Sequence, residues 1–150
     1  MMIEELKYIS SDVTRLAKYL MAVDSDFEVP LSSKTDLYIF TEKLLSKGHV
    51  LAVIEDNVIM GINGFYCNDQ INKIAHFSIL SCKQEIRGKG YARRLVEKMI
   101  EICKANKMKK IHCDSVNPIA ICLYKSCGFI EYRTELCDEL KETYLELRLR

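Results

Sequence analysis

The sequence predicts a single α/β domain built on a mixed sheet that is mostly antiparallel, with one parallel strand pair and helices on both faces. Three consecutive strand-like segments with short turns follow an N-terminal helical region, which favours an antiparallel meander. A glycine-rich turn, an amphipathic helix and a further strand come next, and this order favours a right-handed crossover between parallel strands. Two alternating segments joined by a polar loop end the chain and predict a hairpin.

Composition bounds the class of protein. The chain has 150 residues, of which 49% are hydrophobic and 29% are charged, and this balance is typical of one folded domain, here spanning residues 1–150. The formal net charge is +1, which argues against a broad electrostatic grip on nucleic acid. We therefore expect no nucleic-acid partner. A local basic cluster nevertheless exists at Arg87, Lys89, Arg93 and Arg94.

The seven cysteines are interpreted as reduced core residues. Their number is odd, no pair has C-x-x-C spacing and most lie in apolar runs, so neither a disulfide framework nor a metal site is expected. The segment MMIEELKYIS has no long apolar core of the kind a signal peptide needs. No window reaches the roughly 18 apolar residues of a membrane span. We expect a cytoplasmic protein without membrane association.

The N-terminal third is predicted to hold one strand and two helices. Ser10 and Ser11 are candidate N-caps, apolar residues follow them at helical spacing, and Gly48 ends the second helix. The intervening segment DSDFEVPLSS is expected to be irregular and to shape a pocket. The predicted order is a strand over residues 6–9, a helix from 10 or 11 to 23, an irregular segment over 24–33 and a helix from 34–36 to 46.

The middle of the chain predicts three strands, over residues 50–55, 58–67 and 73–82, because these segments are apolar and rich in β-branched side chains. Asp56-Asn57 is a hairpin turn signal, and residues 68–72 form a second turn. Gly61 and Gly64 fall inside the second strand and indicate a bulge or the close approach of another segment.

The clearest helix begins at the glycine-rich turn and extends to about residue 107. Apolar residues recur from Ala92 at i+3, i+4, i+7, i+10 and i+11, and charged residues fill the other face. The elements predicted after it are a strand over 109–115, a short helix over 119–127, and terminal strands over 129–136 and 143–149.

The turn Arg87-Gly88-Lys89-Gly90-Tyr91-Ala92 is a candidate anion site. N–H groups at a helix start lack intrahelical partners and carry partial positive charge, and glycines let a phosphate approach them. The spacing is neither that of a nucleotide-hydrolysing P-loop nor that of a dinucleotide-binding fold, since Arg93 stands where a third glycine would be.

Two motifs together resemble the GCN5-related N-acetyltransferase (GNAT) superfamily. Arg87 to Ala92 is similar to its motif A, [QR]-x-x-G-x-[GA], and Asn117 to Phe129 is similar to its motif B, here N-x-x-A-x-x-L-Y-x-x-x-G-F. The resemblance implies a GNAT-like single domain and acetyl-coenzyme A as cosubstrate. It covers about residues 50–133, and the N-terminal third, which shapes substrate choice in this superfamily, carries no usable match.

The resemblance implies specific cofactor contacts. The pyrophosphate would lie on the amides of Arg87, Gly88, Lys89, Gly90, Tyr91 and Ala92. The pantetheine arm would pair with the strand edge at Leu80, Ser81 and Cys82, where a bulge would free an N–H for the thioester carbonyl. Asn117 would contact the cofactor, and its alternative role is a strand-end Asx turn before Pro118. Cys82 as an acyl-cysteine nucleophile is not favoured, because nothing nearby lowers the pKa of its thiol.

Tyr124 matches the position of the family's general acid. The leaving thiolate has a parent thiol pKa of roughly 8.5, so a phenol of pKa about 10 stays protonated at neutral pH and donates its proton as the sulfur leaves. The general base is open. The family's usual glutamate position is occupied by Ile74, and the candidates are His76, two residues further on, and His112 or Asp114 on the strand before Asn117.

The sequence therefore predicts an N-acetyltransferase that acts on a small-molecule or peptide amine. A chain that binds acyl-coenzyme A as a sensor without turnover is the alternative, motivated by the missing glutamate, and nucleotide binding is a more distant one. The acceptor is not identified by the sequence. The terminal strand over residues 143–149 is a candidate homodimer contact.

Overall fold

The computed structural model covers residues 1–150 and describes the side chains of all of them except residue 137. Three short 3-10 turns lie at Asp24–Asp26, Leu31–Ser33 and Gln84–Ile86. In chain order, the strands and α-helices are β1 (Met2–Glu5), α1 (Ser10–Val23), α2 (Leu37–Lys47), β2 (His49–Glu55), β3 (Val58–Tyr66), β4 (Ile74–Cys82), α3 (Tyr91–Ala105), β5 (Lys110–Ser115), α4 (Pro118–Ser126), β6 (Ile130–Cys137) and β7 (Leu140–Arg148).

The strands form one seven-stranded sheet in the order β1-β2-β3-β4-β5-β7-β6. β4 and β5 are parallel, and the other neighbours are antiparallel. The parallel pair is the one that α3 connects, as expected for a strand–helix–strand crossover. The predicted mixed α/β sheet with a single parallel pair is confirmed.

Helices cover both faces of the sheet. One core packs residues of α3, such as Leu95, Val96 and Met99, against Phe65, Ile111 and their neighbours on the sheet. The other packs α1 and α2 against β2 and β3 through fully buried side chains that include Leu16, Leu44 and Ile62. The amphipathic pattern of α3 predicted its buried face, since Leu95, Val96, Met99 and Cys103 are all buried.

The first strand differs from its prediction. It spans Met2–Glu5 and pairs with β2, whereas residues 6–9 lead into α1. The adjacent charges of Glu4 and Glu5 hid it, because they place one carboxylate on each face, which a partly covered strand at the edge of the sheet tolerates. The predicted serine N-cap is also wrong: the N-cap residue is Ile9, which makes no capping side-chain bond. Instead the Asp12 carboxylate accepts the Lys7 N–H at 2.8 Å.

The glycines in β3 lie where neighbouring segments approach the strand closely, as the sequence indicated. A Cβ on Gly64 would lie 2.6 Å from Leu44 of α2 and 2.9 Å from Ile79 of β4. The ladder between β3 and β4 also shifts register between Gly64 and Phe65. Gly64 therefore lets α2 pack closely on the sheet at the point where the β4 ladder becomes irregular.

The terminal hairpin is tighter than predicted. Asp138 and Glu139 form a two-residue turn with φ of 48° and 70°, in place of the polar loop predicted between residues 136 and 143. Both φ values are positive, as in the turn type that matches strand twist. β7 consequently begins at Leu140, three residues before the predicted start of the last strand, and this brings Glu142 into the sheet.

In the part of the chain that the structure describes, no helix is both long enough and apolar enough to cross a bilayer. The same residues contain no group of three or more His, Cys, Asp or Glu side chains placed to hold a metal ion.

Candidate active site

The centre of the site is the point where β4 and β5 separate. The two strands pair only at Ile74–Lys110, Ala75–Ile111 and His76–His112. Beyond this point they diverge, and a cavity of about 710 Å³ opens between them. Its walls come from both strands, α4, the irregular segment after α1 and the β6–β7 hairpin.

β4 carries a bulge at the start of the divergent part. Phe65 pairs with Phe77 and Gly64 with Ile79, so Ser78 is the extra residue. The predicted bulge thus exists but precedes Leu80 to Cys82. The Lys83 N–H bonds to Met60 of β3, and N–H groups alternate along a strand. The backbone groups of Leu80 and Cys82 therefore point toward the cavity.

The glycine-rich turn before α3 presents a run of free donors. Within the described residues, the N–H groups of residues 88–93 donate to no protein acceptor, while Arg94 bonds back to the Gly90 carbonyl. Gly88 and Gly90 have φ of +77° and +87°, and a Cβ built on either meets no atom within 4 Å. The turn is an open concave surface of amides at a helix N-terminus, which suits a phosphate group.

Basic side chains surround this turn, but most have partners in the protein. Arg87 donates from Nε to the Cys82 carbonyl at 2.9 Å and lies 3.6 Å from Asp26. Arg93 donates to Ser126 on α4, and the Arg94 guanidinium stacks on Tyr91 at 5.3 Å. The positive character of the turn thus comes from backbone amides reinforced by cations at its rim.

Tyr124 lies on α4 and lines the cavity. Its side chain is only 6% exposed, and its ring packs edge-on against Phe77 at 5.2 Å. Among the described residues its hydroxyl has no hydrogen-bond partner, so the remaining accessible direction is the cavity. Burial, together with Cys113 and Asp114, raises the pKa of Tyr124. The phenol is therefore protonated at neutral pH and is a free donor.

Asn117 has the capping role that the following proline favours. Its Oδ1 accepts the N–H groups of Ile119 and Ala120, at 2.9 and 3.4 Å, and Pro118 occupies the first turn of α4. The residue also lines the cavity. Its amide NH₂ is not used by the cap, so capping and ligand contact are compatible.

Ser81 and Cys82 lie side by side on β4 but face opposite ways. Ser81 Oγ hydrogen-bonds to the Tyr19 hydroxyl of α1 at 2.9 Å, which anchors this part of β4 to the N-terminal helix. Cys82 turns toward the α3 side, and burial raises the pKa of its thiol to about 11. At neutral pH this thiol is protonated, which makes it a poor nucleophile.

His76 and His112 lie at the paired end of the two strands, outside the residues that line the cavity. Their rings are 6.4 Å apart, edge to face. His112 Nε2 hydrogen-bonds to Glu146 at 2.8 Å, and its ring lies 5.4 Å from Tyr132. The structure brings the two histidines together but does not bring either into the lining of the cavity with Tyr124.

Carboxylates at the other end of the cavity were not recognised as a group from the sequence. Asp114 at the end of β5 and Glu142 near the start of β7 line it together, and Asp26, Glu28 and Asp138 are on its wall. The sequence offers Asp114 only as a single candidate base. It does not indicate Glu142, because the position of Glu142 depends on the tight turn at Asp138 and Glu139, and this residue pair lacks the glycine that usually marks a turn with positive φ.

Comparison with known proteins places this geometry in a family. A sequence profile described as the acetyltransferase (GNAT) family matches residues 17–129. A search of curated proteins gives no significant match.

Solved structures resemble the chain along its whole length. A ribosomal-protein-alanine N-acetyltransferase from Brucella melitensis is 19% identical, with a TM-score of 0.78 over 99% of this chain and 100% of that one. An N-acetyltransferase from Staphylococcus aureus Mu50 is 22% identical, with a TM-score of 0.75 over 99% and 98%.

A third similar chain comes from the NatC complex bound to Gag peptide and CoA, at 20% identity and a TM-score of 0.79 over 100% of both chains. These structural matches show that the fold is shared. The family profile covers most of the sequence, including both motifs. The chain belongs to the GNAT acetyltransferase family and is an N-acetyltransferase.

Proposed function

We propose that this protein moves an acetyl group from acetyl-coenzyme A to a primary amine by direct transfer. One observation carries the proposal. Arg87 and Ala92, at the two ends of the glycine-rich turn, line the same cavity as the edge of β4 and Tyr124. A phosphate-binding surface, an extended backbone edge and an unpartnered acid thus lie along one continuous space.

The cofactor would occupy the α3 side of this cavity. The amides of residues 88–92 suit its pyrophosphate, and Arg87 and Lys89 add positive charge at the rim. The Leu80 backbone and the Cys82 N–H suit the amides of pantetheine, which pair with a strand edge, whereas the Cys82 carbonyl already accepts a hydrogen bond from Arg87. Asn117, through its free NH₂ group, is a further contact. The similar chain from the NatC complex bound to Gag peptide and CoA shares the fold of the whole chain.

The acetyl group would lie near the bulge of β4. A backbone N–H released there would donate to the thioester carbonyl, where negative charge develops during attack. Tyr124 would give its hydroxyl proton to the departing sulfur. The raised pKa of Tyr124 supports this role, because the phenol holds its proton until the thiolate forms. The protonated state of Cys82 favours direct transfer over an acyl-cysteine.

The acceptor amine would enter from the opposite side, between the irregular segment after α1 and the terminal hairpin. Phe27 and Glu28 contribute from the first, with Lys34 just after it, and Asp138, Leu140 and Glu142 contribute from the second. Both elements belong to parts of the chain outside the shared motifs. We therefore expect residues of these two elements to determine which amine is accepted.

The proposal is tested by binding and turnover in parallel. Acetyl-coenzyme A is titrated by calorimetry, and thiol release is followed with spermidine, glucosamine and a peptide that has a free α-amino group. We expect binding, thiol release with at least one amine, and no displacement by equimolar ATP. Tight binding without thiol release on a broad amine panel would instead favour a sensor, and displacement by ATP a nucleotide site.

A further inference from the structure

The proposed transfer lacks an assigned proton acceptor, and the cavity contains a pair of carboxyl groups suited to that step. We propose that the Asp114–Glu142 pair takes the proton that the acceptor ammonium must lose before attack. The inference rests on the acetyltransferase function proposed above. It assigns to β5 and β7 the task for which the expected position on β4 offers only Ile74.

The register of the strands places the two carboxyl groups together. Asp114 pairs with Tyr144 across β5 and β7, and Glu142 lies two residues before Tyr144, on the same face of the sheet. Both carboxyl groups line the same cavity, and they are close enough for Glu142 to raise the pKa of Asp114. The Tyr144 hydroxyl donates to Glu142 Oε1 at 2.7 Å, which fixes one side of that carboxylate.

A second feature points to a ligand at this position. Tyr124 lines the same cavity, and only 6% of it is exposed. Among the described residues, its hydroxyl has no hydrogen-bond partner. Its phenol and the Asp114 carboxyl are close enough for the charge of Asp114 to contribute to the raised pKa of Tyr124. An acid and a base candidate therefore face one space.

The groups around Asp114 make it a stronger base than an ordinary aspartate. Burial and then Glu142, on β7, raise the pKa of Asp114, while Lys34 beyond the irregular segment and Arg133 on β6 act in the opposite direction. Two carboxyl groups this close do not ionise independently, and they hold a proton more tightly than one alone. An approaching ammonium group relieves their repulsion and gives them its proton.

These residues account for every proton that moves in the reaction. The ammonium gives one proton to the Asp114–Glu142 pair, and the free amine forms the C–N bond as the C–S bond breaks. The sulfur takes the Tyr124 proton, and the phenolate recovers a proton from the acylated nitrogen. The carboxyl pair then releases its proton to solvent, which the cavity admits.

The test compares Asp114→Asn and Glu142→Gln with wild type in kcat/KM from pH 6 to 10, using acetyl-coenzyme A and the amine that the panel identifies. We expect Asp114→Asn to lower the rate about 100-fold at pH 7. The difference in kcat/KM between Asp114→Asn and wild type should shrink as the pH approaches the pKa of the amine, because an amine that is already deprotonated needs no base. Glu142→Gln should shift the acidic limb of the profile to lower pH, because it removes the like charge.

Glu135→Gln is the matched control. Glu135 also accepts from the Tyr144 hydroxyl, at 3.3 Å, but it is not on the cavity wall, so its profile should match wild type. His76→Ala and His112→Ala test the competing bases. A loss of kcat/KM in either variant that shrinks toward the pKa of the amine overturns the assignment to the carboxyl pair.

The outcomes separate the inference from the function it rests on. No thiol release by wild type with any amine overturns both. Turnover by wild type with a loss in Asp114→Asn that is constant across pH overturns the inference alone. If Asp114→Asn does not fold, Glu142→Gln decides, and an unshifted acidic limb in that variant contradicts the proposal.

Discussion

The two ends of the β4–β5 pair differ sharply although they are built from the same strands. At the paired end, His76 and His112 are neighbours in the ladder, and His112 is bonded to Glu146. At the divergent end, two residues further along β5, Asp114 lines a cavity together with Tyr124. A polar side chain is held by the sheet where the strands pair and is available to a ligand where they separate.

The largest effect is expected at the divergent end from Tyr124→Phe. Removing the hydroxyl deletes the proposed proton donor but keeps the ring that packs on Phe77. We expect kcat to fall at least about 100-fold, the usual range for one acid–base group, with the Kd for acetyl-coenzyme A changed less than threefold.

Tyr132→Phe is the control for Tyr124→Phe, because Tyr132 is half-exposed on β6, outside the cavity lining. Its kcat should equal that of wild type. Equal kcat values for the two variants would remove Tyr124 from the role of acid.

A smaller effect is expected from Gly90→Ala at the turn before α3. Gly90 has φ of +87°, a conformation that costs a residue with a Cβ about 1–2 kcal/mol. If the turn relaxes, the amides lose their alignment, and we expect the Kd for coenzyme A to rise about tenfold. Calorimetry measures this directly.

Gly128→Ala provides the comparison for Gly90→Ala. Gly128 also has positive φ, +102°, but it follows α4 and is not part of the turn. Both variants should lose a similar free energy of unfolding, and only Gly90→Ala should lose affinity. An equal affinity loss in both would show that strain alone, and not the amide surface, explains the effect.

Local chemistry explains which parts of the sequence prediction are confirmed. The glycine-rich turn, α3 and the proline-led start of α4 depend on residues within a few positions of each other, and they occur where predicted. The sequence does not show β1 as a strand, because its consecutive residues Glu4 and Glu5 put a charge on each face and break the apolar alternation.

The non-local parts of the site were beyond the sequence pattern. The bulge at Ser78 lies opposite Gly64, where Leu44 of α2 packs closely on the sheet, and β4 and β5 stop pairing after His76 and His112. The meeting of Asp114 with Glu142 requires the register of β7, which a two-residue turn sets. The glycines of β3 indicated an irregularity, but the sequence of one strand does not show its position on the neighbouring strand or its register.

At the paired end we expect an effect on stability and not on turnover. The hydrogen bond from His112, with help from Lys110, lowers the pKa of Glu146 to about 2. The folded-state pKa of Glu146 is thus depressed from 4.5. The contribution of the ionised Glu146 to the free energy of unfolding is therefore present above about pH 4.5 and is lost as the pH falls toward 2.

His112→Ala should therefore reduce the free energy of unfolding near neutral pH and flatten its decline between pH 5 and 2.5. Because Glu146 retains 22% of its side-chain exposure, we expect about 1 kcal/mol or less. Urea unfolding at several pH values measures it, with Glu146→Gln as the second variant. A decline as steep as that of wild type in both variants would contradict this account of the paired end.

The smallest effect is expected from Cys82→Ala. The thiol has a pKa raised to about 11 by burial, so it contributes almost no thiolate at neutral pH. We expect kcat within about twofold of wild type, and mass spectrometry of the intact protein after mixing with acetyl-coenzyme A should show no added acetyl group. An acetylated intermediate absent from Cys82→Ala would replace direct transfer with a covalent route.

The central claim is that the divergent end of β4 and β5, and not the paired end, binds the cofactor. A titration of ¹⁵N-labelled protein with coenzyme A, followed by amide chemical shifts, tests this directly. The account predicts the largest shifts at residues 88–93 and at Leu80 and Cys82, with residues 74–76 and 110–112 nearly unchanged. Shifts concentrated at the paired end, or no shifts at the glycine-rich turn, would contradict it.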